Sequence, residues 1–211
     1  MKITILYDNL SFNKNLASDW GFSCLIETPG KTILFDTGAK GNILLDNMKK
    51  LQIDPSTVDS VFISHKHWDH TGGLSDFLKL NPTVVYIPDS CRKPRFAKEV
   101  IKIKEQFDMD ENIHSTGELD NFEQSLVIQQ GKNIVVVTGC SHPGVGQILH
   151  KASRFGRVNI LVGGLHGFNE YHLIEDLEFI CPAHCTQHIQ DIKDRYPGKY
   201  IEGGAGRVIE I

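Results

Sequence analysis

Ser64-His65-Lys66-His67-Trp68-Asp69-His70-Thr71-Gly72-Gly73 follows directly on the apolar run Val61-Phe62-Ile63. Three imidazoles and one carboxylate fall within six positions of this stretch. Neutral imidazole and carboxylate are the common ligands of zinc and similar divalent ions. Four such groups crowded at the end of a strand are costly to hold together unless a cation organises them. His65 and His67 stand two apart, so on an extended or loop backbone they converge on one ion. Asp69 and His70 follow at once and are placed to serve a second ion nearby. An isolated His-x-His pair is more often an accident of surface or core, but the complete string followed by Thr-Gly-Gly is far more specific.

Outward from this stretch, short β-like runs alternate with helical segments. Lys2–Tyr7 has strand character, and Phe22–Thr28 and Thr32–Phe35 form a hairpin around Pro29-Gly30-Lys31. The spacing of Leu44, Leu45, Met48 and Leu51 predicts a helix over Gly41–Leu51. Strands are expected at Ser60–Ile63 and Thr83–Ile87, with a short helix at Gly73–Leu80. The second half begins with a hairpin too, Leu126–Gln129 and Ile134–Thr138 around Gly131-Lys132-Asn133. A helix over Val145–Ser153, a strand over Asn159–Gly163, helices over Tyr171–Phe179 and Thr186–Tyr196, and a closing strand over Arg207–Ile211 follow. Such elements are best buried as two sheets face to face with helices outside. No low-complexity linker divides them, so residues 1–211 are expected to form a single α/β domain.

The stretch from Pro88 to Asp120 is the least regular. Its first part is basic, with Arg92, Lys93, Arg95, Lys98, Lys102 and Lys104 around Val100, Ile101 and Ile103. It is expected to form a solvated amphipathic helix or flap. A sharper alternative is an insert over the site whose Arg92, Lys93 and Arg95 meet an anionic substrate.

A metal centre draws ligands from distant segments. His142 lies in Thr138-Gly139-Cys140-Ser141-His142-Pro143-Gly144, just after the apolar run Ile134–Val137, among small residues that let the backbone come close to a bound species. His184, in Cys181-Pro182-Ala183-His184-Cys185-Thr186, sits between an apolar run and an expected helix start. His166, in Gly163-Gly164-Leu165-His166, also ends a strand and is either a ligand or a group that contacts substrate. His114, His150 and His172 sit in ordinary polar contexts and are expected at the surface. Asp36, after the strand that ends at Phe35, can accept the second ring N–H of a ligand histidine and so fix its tautomer. Asp8 ends the first strand and is either a turn residue or part of the substrate face.

Composition sets the frame. With 211 residues, 40% hydrophobic and 23% charged, the chain has an ordinary globular balance. A net charge of -4 argues against a nucleic-acid-binding surface, which needs clustered Lys and Arg. Met1–Asp8 is too short and too quickly polar for a signal peptide, and no apolar run approaches membrane-spanning length. The 5 cysteines are odd in number and scattered, which suits free thiols in a reducing cytoplasm. Cys181 and Cys185 flank His184, but no second pair completes a zinc knuckle.

Taken together and in this order, Leu34–Gly38, His65–Gly73, Gly139–Gly144 and Pro182–Thr186 closely resemble the metallo-β-lactamase fold superfamily. Within it, Thr138–Gly144, Gly163–His166, Pro182–Thr186, Tyr7-Asp8-Asn9 and Glu202–Gly206 resemble the dihydropteroate-synthase-like branch, which includes proteins assigned to methanopterin-type pterin synthesis. The resemblance implies an αβ/βα four-layer sandwich with two divalent ions at the sheet edges. It implies that His65, His67 and His142 hold one ion and that Asp69, His70 and His184 hold the other. Zinc is the first expectation, with manganese or iron admitted at the second site. The chain departs from the superfamily's common pattern where a bridging Asp usually follows the strand between the third and last ligand segments. That strand ends here in Gly-Gly-Leu-His, so either His166 substitutes or the bridge is only water.

A hydroxide generated between two dications is a potent nucleophile near neutral pH. The expected function is therefore hydrolysis of an ester, amide or phosphoester bond in a small, anionic molecule. Asp69 would orient the nucleophile, and His166 would act as acid or donor toward substrate. The pterin-synthesis resemblance offers a rival, a transferase joining a pterin pyrophosphate to an arylamine. A redox di-iron site is disfavoured by His67, where that branch has a carboxylate, and by the short chain. A noncatalytic binding or sensor protein is the remaining alternative. No motif encodes the substrate or the oligomeric state.

Overall fold

The computed structural model describes residues 1–211. One mixed sheet contains β1 (Lys2–Tyr7), β2 (Ser23–Thr28), β3 (Lys31–Phe35), β4 (Ser60–Phe62), β5 (Val84–Pro88) and β6 (Glu99–Ile103). The other contains β7 (Phe107–Asp110), β8 (Ile113–Ser115), β9 (Leu126–Gln130), β10 (Asn133–Thr138), β11 (Val158–Gly164) and β12 (Phe179–Ala183). The last strand, β13 (Val208–Glu210), returns to the first sheet, giving the orders β13-β1-β2-β3-β4-β5-β6 and β12-β11-β10-β9-β8-β7. β3 through β6 run parallel, as do β10, β11 and β12, while the hairpins β2–β3 and β9–β10 are antiparallel.

The two-residue period of a strand explains the layers. Along β3, Ile33 and Phe35 face the opposite sheet, and Leu34 faces out toward the helices. Along β10, Val135 and Val137 point inward while Ile134 and Val136 point outward. Both faces of these strands are covered, which is why they read as unbroken apolar runs rather than alternating ones. The inner layer joins residues of both sheets, with Phe35 and Phe62 stacked at 5.5 Å between ring centroids. Outside the first sheet lie α1 (Gly41–Lys50) and α3 (Leu74–Leu80), which pack Leu44, Met48, Phe77 and Leu78 against Leu34, Val61 and Val85. Between β4 and α3, a single turn, α2 (Trp68–Thr71), carries Asp69 and His70. Outside the second sheet lie α4 (Val145–Ala152) and α5 (Ile189–Arg195), which contribute Val145, Ile148, Ala152 and Ile192. The result is the expected αβ/βα sandwich.

Four expectations are corrected. The Pro88–Asp120 segment is no solvated helix or flap. Glu99–Ile103 adds to β5 as a parallel edge strand, and Phe107–Asp110 and Ile113–Ser115 open the second sheet. β-branched Val100, Ile101 and Ile103 favour this, because Val100 faces the helix side while Ile101 and Ile103 face the inner core. The helix expected over Tyr171–Phe179 shrinks to one 3₁₀ turn at Tyr171–Ile174, because Phe179 begins β12. The helix expected from Thr186 starts at Ile189, since the Thr186 N–H and hydroxyl both donate to the Ala183 carbonyl in a turn. His114 is buried, stacked on Phe155 at 4.1 Å, with Asp108 at its Nδ1.

Phe62 sits fully buried where the two sheets meet beneath the histidine stretch. Phe62→Ala is expected to cost about 3–5 kcal/mol of unfolding free energy. Urea denaturation checks this, through a lower midpoint at an unchanged m-value.

Candidate metal centre

The carboxyl ends of the parallel strands share one edge of the sandwich, where open α/β sheets commonly bind ligands. Asp36 follows β3, His65 and His67 follow β4, His142 follows β10, His166 follows β11 and His184 follows β12. Asp36, Ser141, His166 and His184 have φ of 52, 61, 45 and 50°, in the left-handed region. Non-glycine residues persist there when surrounding contacts over-determine them, and such residues cluster at functional sites.

Each imidazole is best described by its two nitrogens. The Ser64 N–H and hydroxyl donate to the two oxygens of the fully buried Asp36, at 2.7 and 2.6 Å. With its hydrogen so committed, the Ser64 hydroxyl accepts from His65 Nδ1 at 2.9 Å, which leaves His65 Nε2 as a bare lone pair. Asp36 Oδ2 also accepts from His70 Nδ1 at 2.7 Å. Thr37 holds the same segment by donating its N–H and hydroxyl to the His70 carbonyl. His142 Nδ1 donates to Glu123 at 2.7 Å, and Glu123 further accepts the N–H groups of Cys140, Ser141 and His142. His184 Nδ1 donates to Asn9 Oδ1 at 2.9 Å, and the Asn9 amide donates back to the His184 carbonyl.

Four rings are thus pinned at the far nitrogen, and their near nitrogens converge. His65 Nε2 lies 3.1 Å from His67 Nδ1, and His142 Nε2 lies 3.1 Å from His166 Nε2. His70 Nε2 lies 3.2 Å from Cys140 Sγ. His184 Nε2 is 3.3 Å from Asp69 Oδ2 but makes no hydrogen bond, although it is buried. Asp69 Oδ2 is itself fixed by the Trp20 indole N–H at 2.8 Å. An orphaned buried nitrogen, convergent lone pairs and far-side hydrogen bonds together fit divalent-cation binding. Close approach also constrains the backbone, since a Cβ on Gly139 would stand 2.2 Å from Ser64 Oγ.

The expected ligands His65, His67, Asp69, His70, His142 and His184 all come together, with His166 beside them and Asp36 behind His70. Asp8 is corrected: it is buried and accepts the His184 N–H at 3.1 Å, so it holds the His184 segment rather than facing substrate. Arg92 and Lys93, with Lys66, line a cavity of about 610 Å³ beside the histidine stretch, whereas the exposed Arg95 is not part of its wall. Glu123, Asn9, Trp20, Cys140 and Phe122 were not expected. Phe122 packs edge-on to His67 and His142 at 5.1 and 4.7 Å, forming one wall. Only Asn9 had a local signal, its place at the end of β1 beside Asp8.

Burial, with His70 next, lowers His65 to about 2; burial, with His184 next, lowers His70 to about 3. His67 and His166 are lowered by burial and then by His142. Burial alone would raise Asp69 and Glu123, yet their histidine partners outweigh it and hold both well below the usual range. Burial pushes Asp36 well above that range against the Ser64 hydrogen bonds. The Cys185 thiol, then burial, push the Cys140 thiol up among protein groups alone; a coordinated dication reverses such a shift.

Glu123→Gln keeps the shape but loses the charge behind His142, and is expected to weaken metal binding about 10–100-fold in a chelator-competition titration. Chelator-stripped protein should lose stability as pH falls below the 6.5 of ordinary histidine. There the unfolded chain protonates and folded His65 and His70 do not, so the unfolded state binds more protons. Asp69 and Glu123 add to the loss only at lower pH. The fall in stability is expected between about pH 6.5 and about pH 5, where ordinary histidine titrates and folded His65 and His70 stay neutral. Urea midpoints that stay flat across this window would overturn the assignment.

Comparison with known proteins agrees with this geometry. The metallo-beta-lactamase superfamily pattern matches residues 21–150. A 7,8-dihydropterin-6-methyl-4-(beta-D-ribofuranosyl)-aminobenzene-5'-phosphate synthase of Methanocaldococcus jannaschii is 26% identical over 256 residues, spanning 87% of this chain and 86% of its own. The crystal structure of Tm1679, a metal-dependent hydrolase of the beta-lactamase superfamily, superposes with a TM-score of 0.83 at 27% identity, over 100% of this chain and 99% of that one. YhfI of Bacillus subtilis, a metallo-beta-lactamase fold protein, shares the fold at a TM-score of 0.70 and 12% identity, over 100% and 99% of the two chains. The matched span, residues 21–150, includes the whole His65–His70 string and His142, and the chain belongs to the metallo-β-lactamase superfamily.

Proposed function

We propose that this protein is a metal-dependent hydrolase that breaks an ester, amide or phosphoester bond in a small anionic molecule at a two-ion centre, with zinc the first choice of metal. The observation that carries this is the pinning of His65, His70, His142 and His184 at their far nitrogens, which turns their near nitrogens onto one space beside Asp69. His65, His67 and His142 would hold one ion, and Asp69, His70 and His184 the other. Bound dications would lower the pKa of water and polarise the oxygen of the scissile bond.

The chain's own groups do the rest. Trp20 fixes the Asp69 carboxylate, which would orient the attacking water. His166, half-buried and lowered by burial, presents a neutral imidazole that donates to substrate. Phe122 and Trp20 stand edge-on to His142 and His184 and form apolar walls. Arg92, Lys93 and Lys66 give the neighbouring cavity a cationic lining for an anionic tail, and its volume suits a small molecule.

A transferase that joins a pterin pyrophosphate to an arylamine is favoured by one observation, the relative whose name is that of a pterin synthase. In that reaction the amine nitrogen displaces pyrophosphate and no water attacks. Metal analysis and a substrate panel decide. The purified protein is expected to hold about two equivalents of metal and to turn over a phosphodiester or lactone. His67→Ala is expected to lose at least about 100-fold in kcat/KM. A coupled product from pterin pyrophosphate and arylamine, without hydrolysis, would select the transferase. Protein that binds no stoichiometric metal where imidazole is neutral would overturn both.

A further inference from the structure

We propose that the Cys140 sulfur is the protein's own bridging ligand between the two ions, in the role a carboxylate fills elsewhere. This rests on the two-ion reading above. The near atoms of His65 and His142 lie within 4.8 Å of one another and of Cys140 Sγ, and so do those of His70 and His184. Cys140 is the one residue these two groups share, so its sulfur lies where both ligand sets meet. An ion with four protein donors and a place for water is five-coordinate, and bonds of about 2.0–2.3 Å then set neighbouring donors roughly 2.8–3.8 Å apart. The 3.2 Å between Cys140 Sγ and His70 Nε2 is close to that spacing.

The environment is built to hold the sulfur there. Cys140 is 2% exposed, and its N–H is anchored on Glu123 Oε1 at 2.8 Å, the carboxylate that also orients His142. The orphaned, buried His184 Nε2 points into the same space and lacks a partner that a cation would provide. No aspartate from the interval between His142 and His184 competes for the position. Asp176, the only Asp between His142 and His184, is exposed and faces Arg157. His166 Nε2 faces His142 and forms a third group with Cys140 and Cys185, so it meets the sulfur without joining either group of the two ions. As the two sulfur–metal bonds form, the thiol proton leaves to solvent. A thiolate bridge selects zinc, iron(II) or cobalt(II) over the oxygen-seeking magnesium and manganese.

X-ray absorption of the full protein loaded with zinc tests this directly. One sulfur scatterer per zinc at about 2.3 Å is expected. Cobalt(II) loading should give a thiolate charge-transfer band that is lost in Cys140→Ser and kept in Cys185→Ser. Cys140→Ser should also weaken binding of the second zinc by at least about tenfold. Two bound ions with only nitrogen and oxygen neighbours, half a sulfur per zinc, or a band that follows Cys185 would overturn the bridge and leave the two-ion reading intact. Protein that binds no stoichiometric zinc would overturn that reading, and the bridge with it. The wild-type absorption measurement needs no variant to fold.

Discussion

The Asp36 carboxylate, buried at the end of β3, gathers the Ser64 N–H, the Ser64 hydroxyl and His70 Nδ1 into one cluster. Through Ser64 it also sets the ring of His65. Two imidazoles from one loop therefore take their orientation from a residue on the neighbouring strand. This works because β3 and β4 run parallel, so their carboxyl ends stand side by side at one edge. A buried carboxyl without such partners would carry a large desolvation cost. With them, it becomes the fixed point from which the first sheet presents its histidines.

Glu123 plays the matching part for the second sheet. It is buried ahead of β9, gathers three consecutive backbone N–H groups from Cys140 to His142, and turns the His142 ring. Asn9 repeats the device with a neutral amide for His184. Asp8 beside it takes the His184 N–H. The four rings are thus supported from behind by residues on separate segments. Cys140 lies at the junction of the two sets, close to the atoms of both.

How far the sequence revealed this depends on how local each signal is. Ile134–Val137 and Val61–Ile63 announced strands because both faces of those strands are buried, and the His65–His70 string announced a metal because its ligands are close in sequence. His142 and His184 were legible as isolated histidines at the ends of apolar runs. Glu123 and Cys140 were not, since Glu123 lies in a polar stretch and a single cysteine names no partner. Their roles exist only once β9, β10 and the β4 loop meet. The edge strands misled for a related reason. Phe107–Asp110 is charged and largely exposed, so nothing in its pattern separates it from a loop. The Tyr171–Phe179 misreading shows a helical period broken by the strand that starts at Phe179.

The distribution of the proposed ligands over both sheets also bears on how the molecule holds together. His65, His67, Asp69 and His70 belong to the first sheet's loops, and His142 and His184 to the second's. Ions held between them would act as rivets across the sandwich, joining His65 to His142, 77 residues on, and His70 to His184, 114 residues on. A ligand that binds only the folded state stabilises it by RT ln(1 + [L]/Kd), about 2.7 kcal/mol when the free ion is at 100 times its Kd. The durability of the closed sandwich would then follow the free-metal level around it, so that scarcity of metal would silence the chemistry and loosen the architecture together.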